Sequence, residues 1–330
     1  MTLADLLAVA LGFALTAYAL FAGADFGAGV LDLIAHRRDP ERAAIAAGIG
    51  PVWEANHVWL IFSITILFSA FPTAISALGT ALLAPFTVAL LAIVLRGAAL
   101  GLRSGAEHES RGYARLGLVF GSASLIAPFA FGIVAGGLAQ ASTRTTPAPG
   151  IPWTGLFAIV VGLLAVALCT HLAACFMTQR LARGDQPSLA ESFRRRGLQS
   201  GVAVMALASL ALIVASWKAP SLSHRLLTTA LPVVFVGAVA IAASLTSLAT
   251  RRYELARVAS LVTGAALLWG WFVAQAPHLV GVRLTLHTAA ASHSALAAIA
   301  VATGIVLVMV LPSFYLLFTV FARSLPEATE

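Results

Sequence analysis

Nine long apolar runs, separated by short polar or Pro/Gly-rich stretches, make up most of the sequence. They cover roughly 4–34, 51–75, 77–102, 115–140, 154–182, 199–217, 227–249, 256–276 and 294–322. The runs are continuous and close to the ~20 residues that an α-helix needs to cross about 30 Å of hydrocarbon. A membrane β-strand would instead read as about ten residues of alternating hydrophobicity. The pattern predicts an all-α polytopic membrane protein with about nine transmembrane helices. Four, four and one is their natural grouping: two four-helix bundles and one peripheral helix. No connecting stretch is long enough for an independent soluble domain, so residues 1–330 read as a single transmembrane domain.

Composition agrees with the pattern. The chain is 60% hydrophobic and 10% charged, with a mean hydropathy of +0.95, whereas soluble domains carry about 25% charged residues. The first run lacks a basic leader and a small-residue cleavage site, and reads as a retained span. Cys169 and Cys175 share one apolar run; six residues of helix separate them by about 9 Å and turn them to different faces, too far for a disulfide.

The net charge of +7 changes the picture further. No aromatic-interleaved basic patch accompanies it, so it does not point to nucleic acid. Arg37, Arg38, Arg42, Arg103, Arg111, Arg115, Arg180, Arg183, Arg194, Arg195, Arg196, Arg251, Arg252, Arg257 and Arg323 all fall on one side of the predicted membrane. Only Arg144, Lys218, Arg225 and Arg283 fall on the other. Cytoplasmic loops are enriched in Arg and Lys, so the expected topology has the N-terminus outside and the C-terminus cytoplasmic.

Ionisable residues inside apolar runs mark candidate sites. The first span holds Asp25 and Asp32, seven residues and two turns apart on one face. Asp25 is flanked by Gly23 and Gly27, a small-xxx-small pair that admits a neighbouring helix. This reads as a carboxylate ladder rising from the cytoplasmic end; the bland alternative puts Asp32 among headgroups and pairs Asp25 with a neighbour. The second span opens GIGPVWEANHVWLIF, in which Glu54 and His57 share a face, as do Trp53 and His57, with Asn56 and Trp59 on the next stripe. A helix starting at Pro51 makes that proline a normal first-turn residue; a helix starting near Glu41 would be kinked there, leaving a wet pocket beside Glu54. Arg96, inside the third span, either snorkels to the interface or pairs with a buried carboxylate or a bound lipid. Glu107 and His108 read as solvated loop residues. His171 is isolated in the fifth span, and His278, His287 and His293 fit no familiar metal spacing. Walker A, C-x-x-C-H and dinucleotide glycine patterns are absent.

GADFGAGVL, the DPER stretch and GPVWEANHVWLIF together resemble subunit II of the cytochrome bd-type quinol oxidases. LRGAALGLR, GSASLIAPFAFGIVAGGL, THLAACFMTQRLARG and APHLVGVRLTLHTAAASHSAL follow in matching order. Glu54 and Ala55 stand where the family often has Asp and Gly, and His57 where Gln or Glu is common. These departures place the chain nearer the cyanide-insensitive, bd-like variants. Gly101 stands where the family often has an acid. The resemblance implies a non-haem subunit of a bacterial inner-membrane enzyme that oxidises quinol and reduces O2 to water. Haems b and d, or a b-type variant, and the quinol site would belong to a partner, subunit I. This chain would support that partner and line a cytoplasmic proton path through Asp25 and Glu54, with Asp32 and His57 as further candidates. A structural quinone, lipid and a small accessory subunit are further expected associates; no metal is expected on this chain. Two other readings compete: an independent secondary transporter, disfavoured because the polar cluster lacks a counterpart in the second half, and a purely structural subunit.

Overall fold

The computed structural model describes residues 2–35, 39–49, 53–104, 111–141, 153–281 and 283–323. Among the described residues twelve helices follow one another: α1 (Leu3–Ala35), α2 (Asp39–Ile49), α3 (Trp53–Ala70), α4 (Pro72–Ala81), α5 (Leu83–Ser104), α6 (Arg111–Ala141), α7 (Leu156–Arg183), α8 (Pro187–Lys218), α9 (Pro220–Leu226), α10 (Leu231–Ala249), α11 (Tyr253–Gln275) and α12 (His293–Arg323). Among the described residues, eight helices are long and apolar enough to cross a membrane, or nine spans if the bent pair α3–α4 counts as one.

Helices α1, α3, α5 and α6 meet around Tyr18, Phe26, Ala92, Ala127 and Phe131, with Trp59 and Leu60 packed against them. Helices α7, α8, α10 and α11 form a second group, and α12 touches α1 and α3 from outside. The chain is therefore an all-α polytopic membrane protein, with α1 packed against α6, α7 and α11 at the join.

Four details correct the sequence reading. The boundary at 75/77 falls inside α4: the chain bends by 113° at Phe71, where Pro72 opens a new helix. A carbonyl freed inside a membrane protein needs a donor, and the Ala70 carbonyl accepts the Ala291 N–H at 2.9 Å. α8 begins at Pro187 rather than near 199, because Glu191 pairs with Arg194 and Arg195 one turn on and so supports a polar helical extension. Residues Asp39–Ile49 form a helix of their own ahead of α3, so the alternatives drawn around Pro51 turn on residues 50–52, outside the described residues. The stretch before α12 carries a two-stranded antiparallel hairpin, β1 (His278–Val280) and β2 (Leu284–Thr285). Glu107 and His108 lie outside the described residues.

Candidate functional site

The chemistry concentrates where α1 faces α3, α5 and α6. Asp25 is buried at 9% exposure. Its carboxylate accepts the Asn56 side-chain amide of α3 at 2.5 Å. Arg96 of α5 reaches the same level but takes the backbone: its Nη2 donates to the Asp25 carbonyl at 3.2 Å, and its Nε donates to Ser124 Oγ of α6 at 3.1 Å. The guanidinium lies over the rings of Phe26 and Phe120, at 5.2 and 5.0 Å. At 3% exposure Arg96 does not snorkel; hydrogen bonds and aromatic faces hold it inside, which corrects the interfacial reading.

Two turns along α1, Asp32 is 3% exposed and receives two guanidinium groups. Arg103 donates to its two oxygens at 3.1 and 3.4 Å, and Arg42 of α2 at 3.2 and 3.4 Å. Both cations lie over the Tyr113 ring. Asp32 is therefore a buried, doubly paired acid. Arg42 fits there because Gly117 has no side chain: a Cβ on that glycine would lie 2.2 Å from Arg42 Nη2. The adjacent Glu41, 4% exposed, reaches the other way, accepting Ser192 Oγ at 2.6 Å and Arg196 Nη2 of α8 at 2.5 Å. Consecutive residues of α2 thus bind the two helix groups at once.

The other residues singled out from sequence divide. Gly27 lies against the α7 backbone, where an added Cβ would stand 1.8 Å from the Cys169 carbonyl oxygen; Gly23 faces the Cys169 thiol and Leu172 with more room. Trp59 packs in the α1–α5–α6 core. His57, half-buried, is close enough to act electrostatically on Asp25. Trp53 and Glu54 open α3, and their side chains lie outside the described residues.

His171 belongs to a different, buried polar cluster. One ring nitrogen meets the Gly197 carbonyl at 3.0 Å and the other Ser244 Oγ at 2.9 Å. Gly201 leaves room for the imidazole, since a Cβ there would come within 2.8 Å of it. With both nitrogens bonded across helices, the ring offers no vacant nitrogen to a metal. Cys169 and Cys175 are free and buried.

Sequence reasoning missed Ser124, Tyr113 and the roles of Arg42 and Arg103. One signal was available. Arg96 and Arg103 are seven residues apart, as are Asp25 and Asp32, and 71 residues separate the members of each rung. Two parallel helices with matched acid and base spacing are a legible ladder.

A sequence profile of the family described as cytochrome bd terminal oxidase subunit II matches residues 3–321. Cytochrome bd ubiquinol oxidase subunit 2 of Bacillus subtilis (strain 168) is 29% identical over 193 residues, which are 57% of this chain and 56% of that relative. Cytochrome bd-I ubiquinol oxidase subunit 2 of Escherichia coli (strain K12) is 30% identical over 130 residues, 39% of this chain and 34% of the relative. The matched stretches thus span about half of the first relative and a third of the second. The bd oxidase structure from Geobacillus thermodenitrificans contains a chain of the same fold, with a TM-score of 0.77 and 22% identity, covering 98% of this chain and 100% of that one.

Proposed function

Because this chain belongs to the cytochrome bd terminal oxidase subunit II family, we propose that it serves as the non-haem subunit of a quinol-oxidising, O2-reducing complex and lines a proton path within it. The observation that carries the path is Asp25: a carboxylate buried in an apolar helix, oriented by Asn56 at 2.5 Å and flanked by the fixed positive charge of Arg96. Buried acids are costly in a membrane and mark proton routes when they persist.

In this reading the arginine-rich end faces the cytoplasm. Protons enter there, beside α2 and the start of α3, and pass by Glu54 and His57 to Asp25. Asn56 fixes the direction of the acceptor oxygen. Arg96, always protonated, keeps a positive charge beside the carboxylate without carrying protons itself. Asp32 has a different role: with two guanidinium groups bonded to it, it pins α1, α2 and α5 together and so shapes the entrance. Moving one charge across 100 mV is worth about 2.3 kcal/mol, so an interrupted intake would lower both turnover and coupling.

In this reading haems b and d, or a b-type variant, and the quinol site belong to a partner subunit I, as the resemblance implies; His171 is engaged with Gly197 and Ser244. Those groups would supply the electron transfer and oxygen chemistry there. No described residue is assigned to a structural quinone or a small accessory subunit. The complex is placed in a bacterial cytoplasmic membrane.

The test is quinol-driven oxygen consumption by the whole complex carrying Asp25→Asn or Glu54→Ala. The expected result is at least a tenfold loss of rate with the haem absorption spectrum retained. Wild-type rates in both variants would leave only a structural role.

A further inference from the structure

At the arginine-poor end of the molecule, away from Asp25, a cavity of about 100 Å³ lies between the end of α6, the short α9, the end of α11 and β1. One water needs only about 10–15 Å³ by this measure, so the space admits several waters or one compact tetrahedral ion. Its polar lining is Ser221, Arg225, Gln275 and His278. No carboxylate is among them.

Two of these groups lack partners. The half-buried guanidinium of Arg225 makes no hydrogen bond or ion pair among the described residues. Nδ1 of His278 is shut off from solvent and also has no partner among the described residues. The chain cannot supply a counter-charge from nearby sequence: no Asp or Glu occurs between Glu109 and Asp185, and Glu254 is the one acid between Glu191 and Glu327. Glu254 stands in the first turn of α11, about 30 Å along the helix from Gln275. Asp5, at the same end as the cavity, is engaged with His287 at 3.4 Å.

A half-desolvated guanidinium lining one cavity with an imidazole, a hydroxyl and an amide, and with no acid among the lining residues, is suited to a multi-oxygen anion. Guanidinium geometry matches phosphate oxygens in pairs. We propose that this cavity binds a phosphate-type oxyanion, with Arg225 as its counter-charge and Ser221, Gln275 and His278 as hydrogen-bonding partners. The anion has two sources, a phospholipid headgroup at the membrane rim and free phosphate.

The test uses the whole complex, extracted in detergent and stripped of lipid. Binding is followed by native mass spectrometry and thermal midpoint on adding inorganic phosphate, dioleoylphosphatidylglycerol or phosphate-free dioleoylglycerol. Saturation by inorganic phosphate identifies a free anion; saturation by phosphatidylglycerol alone identifies a headgroup. In either case Arg225→Gln is expected to weaken binding at least tenfold, and Arg225→Lys to restore part of it. Absence of both ligands, equal response to dioleoylglycerol, or wild-type affinity in Arg225→Gln overturns the proposal. His278→Gln covers failure of the first variant to assemble: a severalfold loss of affinity is expected, and unchanged affinity overturns the proposal as well.

Discussion

Arg96 holds Asp25 by its backbone, not by its carboxylate: the guanidinium donates to the Asp25 carbonyl at 3.2 Å, and the carboxylate is left to the Asn56 amide at 2.5 Å. Arg103 does the opposite two turns away, where both of its terminal nitrogens go to the Asp32 carboxylate. Two rungs of equal spacing therefore have unequal chemistry. Among the described residues Asp25 has a single neutral donor on its side chain, whereas Asp32 is held in two ion pairs.

That contrast predicts the behaviour of Asn56→Leu. Removing the amide takes away one hydrogen bond to a charged group, worth about 1.5–3 kcal/mol, and leaves the acceptor oxygen undirected. Oxygen consumption by the complex is expected to fall about tenfold while the haem spectrum stays unchanged. An oxygen-electrode assay at saturating quinol reads this directly, and an unaltered rate would remove Asn56 from the path.

At the other rung the expected damage is structural. Breaking a buried ion pair by removing one partner costs about 3–5 kcal/mol. Arg103→Gln should lower the yield and thermal midpoint of the assembled complex, and Asp32→Asn should do so at least as strongly, because it strands two cations. In a double-mutant cycle the two changes together should cost less than their sum by about 1–3 kcal/mol. Additive losses would show that the two side chains are not coupled.

Gly23 and Gly27 should differ sharply as alanines. At Gly27 the new Cβ would collide with the Cys169 backbone carbonyl, 1.8 Å away, whereas at Gly23 its nearest neighbours are side-chain atoms at 3.4 Å. Overpacking of this kind costs about 1–3 kcal/mol or more. Gly27→Ala should drop the thermal midpoint by several degrees and Gly23→Ala by little; equal midpoints would mean that α1 and α7 part easily.

His171→Ala should leave the Gly197 carbonyl and Ser244 hydroxyl without their partner, a loss of about 1–3 kcal/mol. A thermal melt of the complex should show it, while the haem spectrum and turnover at low temperature remain as in wild type. A changed haem spectrum would contradict the assignment of His171 to a structural cluster.

The spans were readable from sequence because their apolar length is set by membrane thickness, and the charge bias between the two ends was equally plain. What the sequence concealed was direction. Arg96 sits about as far from the end of its run as an interfacial arginine would, and only Ser124, Phe26 and Phe120 reveal that it turns inward. Asp32 looked peripheral because Arg42 and Arg103, its partners, lie 10 and 71 residues away. The break at Phe71 was marked by Pro72, yet the size of the bend depends on Ala291 arriving to take the Ala70 carbonyl, a contact 221 residues distant that no local pattern announces.

The glycine contact between α1 and α7 also bears on what kind of motion this protein can undergo. A carrier that works by rocking requires a seam along which its halves slide. Here that seam is closed at the level of the main chain by Gly27 against Cys169, and it is stitched again by Glu41 reaching Arg196. Sliding along that seam would have to part both contacts at once.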